Sequence, residues 1–274
     1  MTIRALAGAV VLTVALSSVG TAQAWRPGFT GNTFAGNDDE SVGPLTTGFG
    51  ALNFFGQSFS TFYLNNNGSI SFGLGLWDYT PFPIVTTGVP MIAPFFADVD
   101  THVGPEVTYG TGVADGHSAW GANWDGVCFF EDNCASENAF QLVLLSRSDI
   151  GVGDFDFEFN YKYIQWETGQ LSGGDEFGRG NSWGPDGSCA RVGWSNGAAA
   201  TYELAMSGEC GAFLDGGAQA LASTSNVEQP GRYKWEVRNG QVQNVVPEPF
   251  SIVLLGTGLA GLVAARRRRA KNIA

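Results

Sequence analysis

The ten residues Asp154–Tyr163, DFDFEFNYKY, alternate strictly. Phe155, Phe157, Phe159, Tyr161 and Tyr163 fall on one face, and Asp154, Asp156, Glu158, Asn160 and Lys162 on the other. A period of two is the signature of a strand with one buried and one wet face, and no helix accommodates it. Each ring, once buried, contributes a few kcal/mol at roughly 25 cal/mol per Å2 of apolar surface. A second layer must therefore cover them. Upstream, Phe140–Leu145 is apolar throughout except Gln141, and Ser146–Gly153 carries two glycines and an aspartate, which suits a hairpin link. The apolar parity slips at Ile164 and Trp166, so a bulge is predicted near Tyr163.

The rest of the chain agrees with this strand. Short apolar runs are broken by Gly, Asn, Asp and Pro, 39 residues are glycine, and no central segment holds a 3.6-residue apolar period. The expected fold is all-β, a single β-sandwich-like domain with long Gly/Asn-rich loops, plus apolar targeting helices at the two ends. Strands are expected at 52–55, 59–64, 69–72, 89–101, 107–109, 140–145, 154–163, 189–195, 201–205 and 231–237. Residues 25–50 read as an irregular lead-in, 77–89 as a loop, 115–137 as a Gly/Asn/Asp/Trp-rich connection, and 241–246 as a linker. Asn67-Gly68 is a tight-turn signal, because both residues tolerate positive φ.

The ends carry targeting patterns. Arg4, the apolar run Ala5–Leu16 and the small-x-small site Ala22-Gln23-Ala24 form a secretory signal, with cleavage expected before Trp25. At the other end Val246-Pro247-Glu248-Pro249 precedes an apolar span, 250–265, and then Arg266, Arg267, Arg268 and Arg269. Sixteen apolar residues are short for a bilayer, which usually needs about 20, and the basic cluster favours the cytoplasmic side. Motif, span and basic end together, at 247–274, closely resemble the PEP-CTERM sorting signal of Gram-negative bacteria. That resemblance implies an inner-membrane precursor held transiently by its C-terminal segment and processed by an exosortase. The product then goes to the cell surface or extracellular matrix, in organisms that make exopolysaccharide and biofilm.

Between Trp25 and Pro249 lie 26 acidic and 8 basic side chains, a formal net charge of −18. Such a body repels nucleic acid and attracts cations or basic partners. The four cysteines, in a chain bound for an oxidising compartment, are expected as disulfides. The pairing Cys128–Cys134 and Cys189–Cys210 brackets one loop each. Zinc is disfavoured by the lack of a C-x-x-C pair.

Six stretches carry a further resemblance: LNNNGSISFG (64–73), PMIAPFFADVDT (90–101), FQLVLLSR (140–147), DFDFEFNYKYIQWETG (154–169), ARVGWSNG (190–197) and GRYKWEVRNG (231–240). In this order they resemble the NIDO domain, the extracellular module named from nidogen, over 51–240. The resemblance implies a β-rich adhesive or interaction module with no established catalytic residues, and it names no ligand.

Asp98 and Asp100 are the candidate metal ligands. At i, i+2 on a strand their carboxylates project the same way and can share a hard cation, as a structural Ca2+ with carbonyls and water completing the shell. The simpler alternative is that they cap a strand end, and no D-x-D-x-D-G loop is present. The ladder Asp154, Asp156, Glu158 reads as a solvated face. Carboxylate pairs raise the question of glycoside hydrolysis, but nothing in the sequence marks one as a proton donor. His102 and His117 belong to no serine-elbow or H-E-x-x-H pattern. Trp77, Trp120, Trp124 and Trp183 read either as loop anchors or as sugar-stacking platforms. The expected function is an exported, non-catalytic surface or matrix protein that associates with exopolysaccharide or a surface protein in adhesion or biofilm, with no other cofactor. A carbohydrate-acting enzyme and a purely structural exported protein are the alternatives.

Overall fold

The computed structural model describes residues 24–131, 133–180 and 189–244. The signal segment, the PEP-CTERM tail with its 250–265 span, and Trp183 lie outside the described residues. Among the described residues sixteen strands run in chain order. The first six are β1 (Asn32–Phe34), β2 (Ser41–Leu45), β3 (Leu52–Phe54), β4 (Gln57–Phe59), β5 (Phe62–Asn65) and β6 (Ser69–Ser71). Then come β7 (Pro90–Phe96), β8 (Val99–Asp100), β9 (Val107–Ala114), β10 (His117–Phe129) and β11 (Asn133–Ser146). The last are β12 (Phe155–Ile164), β13 (Arg191–Asn196), β14 (Thr201–Glu203), β15 (Arg232–Arg238) and β16 (Gln241–Asn244). Among the described residues there is no α-helix, and none of them forms a helix long and apolar enough to cross a membrane.

The fold is all-β and sandwich-like. One antiparallel sheet has the order β1-β9-β10-β11-β12-β15-β16, with β8 also paired to β10. The second has the order β14-β13-β7-β6-β5-β2, and β3-β4 is a separate hairpin. The aromatic face of β12 is the inner face of the first sheet, as its alternation predicts. Phe155, Phe157 and Phe159 are fully buried and Tyr161 nearly so. Rings meet between the layers: Phe95 on Phe140 at 5.2 Å, Phe62 on Trp120 at 4.7 Å and Tyr202 on Trp235 at 5.9 Å. The Tyr161 hydroxyl donates to the Pro94 carbonyl at 2.6 Å. The register steps from Ala139↔Tyr163 to Phe140↔Tyr161, leaving Lys162 as the extra residue of a bulge. That bulge returns Ile164 and Trp166 to the core, where both are fully buried.

Four expectations about this sheet need correction. The irregular lead-in at 25–50 supplies its edge strand β1 (and β2 of the other sheet), and the 241–246 linker supplies β16. The 115–137 connection is instead most of β10 and the start of β11, the central hairpin of the molecule. And the acidic side of β12 is not solvated: Asp156 and Glu158 are each 1 % exposed. Part of this outer face is covered by the segment that leads into the domain. Residues 24–31 lie across the outer face of the first sheet, so that Phe29 packs with Ala114, Ala119, Val143 and Leu145. A Cβ at Gly121 would stand 2.6 Å from the Phe29 ring and one at Gly112 2.9 Å. The glycines that look like turn residues are therefore the floor on which this strap lies.

Beneath the strap runs a row of cross-strand neighbours, Asn123, Gln141, Asn160 and Arg232. Each is hydrogen-bonded to the next, from Gln141 Nε2 to Asn123 Oδ1, Asn160 Nδ2 to Gln141 Oε1 and Arg232 Nε to Asn160 Oδ1. Asn123 and Gln141 also donate to the strap carbonyls of Gly28, Phe29 and Arg26. Next to this row Arg26 donates to Glu158 through Nε at 2.9 Å and through its terminal nitrogen at 2.8 Å, and Arg232 stands 3.6 Å away. Asp156 is ringed by Arg147, Lys234 and Arg238 at 3.1, 3.0 and 2.7 Å. The last is a close charge contact rather than a well-directed hydrogen bond. A buried carboxylate needs paired charge and hydrogen bonds, and the sheet supplies both.

The disulfides are Cys128–Cys134 and Cys189–Cys210. The second links residues 21 apart, a loop whose closure stabilises by about 3 kcal/mol in the chain-entropy account. Replacing both Cys189 and Cys210 by Ser is expected to lower stability by about that amount. Chemical denaturation of the double variant beside the parent measures it, and an unchanged midpoint would contradict the estimate.

Candidate acidic site beside the asparagine hairpin

The site is built on the tetrapeptide Asn65-Asn66-Asn67-Gly68, which joins β5 to β6. Gly68 has φ +74°, and a Cβ there would fall 1.8 Å from the Phe95 carbonyl, so only glycine lets the hairpin reach β7. The three asparagines are buried and serve as connectors. Asn65 donates to the hydroxyls of Ser69 and Ser71 and accepts from the Leu76 N–H. Asn66 Nδ2 donates to the carbonyls of Asn37 and Val99 at 2.9 and 2.7 Å, and its own carbonyl accepts from Trp124 Nε1 at 2.8 Å. Asn67 Oδ1 accepts from the Val99 N–H at 2.8 Å, while its Nδ2 donates to Asp39 Oδ1 at 2.8 Å and to the Asp78 carbonyl at 3.1 Å. Three segments, 37–40, 76–79 and 97–101, are thereby held around one hairpin.

Between them Asp38, Asp39 and Asp98 converge, with one ligand oxygen from each lying within 4.8 Å of the others. They line a pocket of about 120 Å3 together with Tyr79, Phe130 and Leu171. Asp98 is the floor, 1 % exposed, and neither of its carboxylate oxygens has a hydrogen-bond partner. Asp38 and Asp39 are half-buried at the mouth. The Asp98 carbonyl accepts from the Phe130 N–H, and the Phe130 carbonyl from the Gln170 N–H. This brings Gly169 against the carboxylate, so closely that a Cβ there would stand 2.0 Å from Asp98 Oδ2. Burial first, then the charges of Asp38, Asp39 and Asp100, push the Asp98 carboxyl up to about 8. Asp39 is raised by burial too, against the lowering effect of its bond from Asn67.

The sequence pairs Asp98 with Asp100; the structure groups it with Asp38 and Asp39. Asp98 lies in the bend between β7 and β8, and the i, i+2 rule for a straight strand does not carry across that bend. Asp100 Oδ1 instead accepts from the His102 N–H at 2.9 Å and faces the His102 ring at 3.2 Å. The Asp38-Asp39 pair stands in the lead-in, where sequence alone places nothing of function. An adjacent acidic pair in a Gly/Asn-rich loop was the available signal.

Other expected site residues separate. Trp120 and Trp124 are core residues, whereas Trp77 is 66 % exposed. His102 and His117 stand beside Asp100 and Asp149 respectively. The buried Glu167 accepts from the N–H groups of Gly211 and Phe213, and so holds the loop after Cys210. A wider depression of about 560 Å3 beside Ile164, Arg179 and Asp215 presents one carboxylate, which accepts from the Ile164 N–H.

Comparison with known proteins agrees with this architecture. Residues 60–118 and 109–239 match the nidogen-like domain, and 245–269 match the PEP-CTERM protein-sorting motif. The alpha-tectorin of Homo sapiens is 28% identical over 214 residues, covering 69% of this chain and 9% of the tectorin. That of Gallus gallus is 27% identical over 227 residues, covering 74% of this chain and 10% of the tectorin. The chain thus spans about a tenth of the length of these relatives. No solved structure is significantly similar. The sorting motif implies processing by an exosortase, and with it an exported protein held transiently at the membrane and then placed at the cell surface. The chain belongs to the nidogen-like domain family.

Proposed function

We propose that the protein is a non-catalytic surface or matrix component that supports adhesion and biofilm structure by binding exopolysaccharide. The observation that carries this reading is the loop from Leu74 to Tyr79. Leu74, Trp77 and Tyr79 are 48, 66 and 40 % exposed, on a segment fixed to the asparagine hairpin by Asn65 and Asn67 and bordering the acidic pocket. A rigidly held exposed indole offers a sugar ring an apolar face at little entropic cost. Charge agrees with it. Seven of the eight basic side chains of the exported body are in ion pairs, so the surface presents mainly carboxylates and attracts cations that bridge acidic polymers.

Catalysis is disfavoured by scale. The pocket that holds the raised Asp98 carboxyl has room for about four waters at about 30 Å3 each. The test is a cell strain lacking the chain, complemented with the parent or with a Trp77→Ala, Tyr79→Ala variant. Both side chains are exposed, so the variant is expected to fold with stability within about 0.5 kcal/mol of the parent. It should reach the surface in equal amount and yet retain several-fold less polymer on the cells. Equal polymer retention by the variant would contradict the reading.

A further inference from the structure

We propose that Asp38, Asp39 and Asp98 form a calcium site that clamps the lead-in loop to the bend between β7 and β8. The inference stands apart from the polymer-binding reading, since it rests on the pocket alone. Its first support is the isolation of Asp98. Both carboxylate oxygens are buried, neither has a hydrogen-bond partner, and no lysine or arginine among the described residues pairs with it. Other buried carboxylates among the described residues are answered: Asp156 and Glu158 by five basic side chains, Glu167 by two N–H groups. A buried acceptor left unanswered is costly, so the missing partner is expected to come from solution.

The surroundings specify that partner's chemistry. Two further carboxylates face the same 120 Å3 space, so it must be positive, and the donors are all hard oxygens. A proton would relieve one carboxylate, whereas a divalent ion acts on all three. Oxygens on opposite sides of Ca2+, at 2.3–2.6 Å each, are about 4.6–5.2 Å apart, and around Mg2+ only about 4.0–4.2 Å. The present spread, up to 4.8 Å, admits calcium without rearrangement. Access is through the half-buried Asp38 and Asp39, and the pocket has space for the waters that would complete a shell of six to eight. Asn67 orients Asp39 from behind, as an outer-shell partner does.

The test is thermal melting of the purified protein, stripped with EGTA and then titrated with calcium chloride or magnesium chloride. At calcium about a hundredfold above the dissociation constant, the melting temperature is expected to rise by about 5–10 °C. Asp98→Asn should abolish that rise. In EGTA this variant should melt no lower than the parent, because the amide has the shape of the carboxyl and gives up no hydrogen bond that Asp98 makes. Asp100→Asn should keep the calcium response. Calorimetric titration of the unsubstituted protein reads binding directly and needs no variant to fold. Absence of binding at millimolar calcium, or a full calcium response from Asp98→Asn, would overturn the site. An equal response to magnesium would overturn its assignment to calcium.

Discussion

Trp124→Ala is expected to destabilise the protein by about 3–5 kcal/mol, the usual cost of removing a buried indole. For a domain of this size that corresponds to a fall in melting temperature of roughly 6–20 °C. Trp124 is fully buried and stacks on Phe140 at 5.0 Å, so truncation opens a cavity between the layers. It also strands the Asn66 carbonyl, which loses its 2.8 Å bond from the indole nitrogen. Because Asn66 holds both Asn37 and Val99, the damage should spread to the acidic pocket. Trp124→Phe separates the two effects: it keeps most of the ring contact and loses the hydrogen bond, and about 1–2 kcal/mol is expected. Thermal melts of the two variants beside the parent give the comparison. A loss below about 1 kcal/mol for Trp124→Ala would mean that the layers do not meet at this ring.

The second large effect is expected at Glu158. Glu158→Ala leaves Arg26 and Arg232 without their shared carboxylate beneath the strap, and breaking one partner from a buried charge group costs about 3–5 kcal/mol. Arg26 retains Asp115 at 2.6 Å, but that contact is half exposed and worth little alone. The strap should loosen first. Limited proteolysis is therefore expected to cut near residues 25–31 in the variant faster than in the parent, before the sheets open. Equal cleavage with equal stability would show that the strap is held by Phe29 and the asparagine row without the charges.

The strand at the centre of the fold is legible in the sequence because a period of two survives over ten residues. The position of its bulge is legible too, since the apolar parity shifts once, between Tyr163 and Ile164. Far less legible is what covers its other face. An acidic row on a strand reads as solvated unless basic residues are known to fold over it, and Arg26, Arg147, Arg232, Lys234 and Arg238 come from three separate segments of the chain. The same strap hides β10, where Gly121 looks like turn material until Phe29 is seen lying over the sheet. At the site, Asp98 is legible as a candidate from its place at the end of an apolar run. Its partners are not, because a bend intervenes before Asp100 and because Asp38 and Asp39 reach it only through the contacts of Asn66 and Asn67.

The central claim is that this exported domain binds matrix polymer without cleaving it. Purified protein mixed with exopolysaccharide from the producing organism tests it in one tube, by co-sedimentation and by assay of new reducing ends. The account predicts that the protein sediments with the polymer, that Trp77→Ala with Tyr79→Ala weakens this several-fold, and that reducing ends stay at the level of polymer alone. Release of reducing ends in proportion to added protein, or protein left wholly in the supernatant, would contradict it.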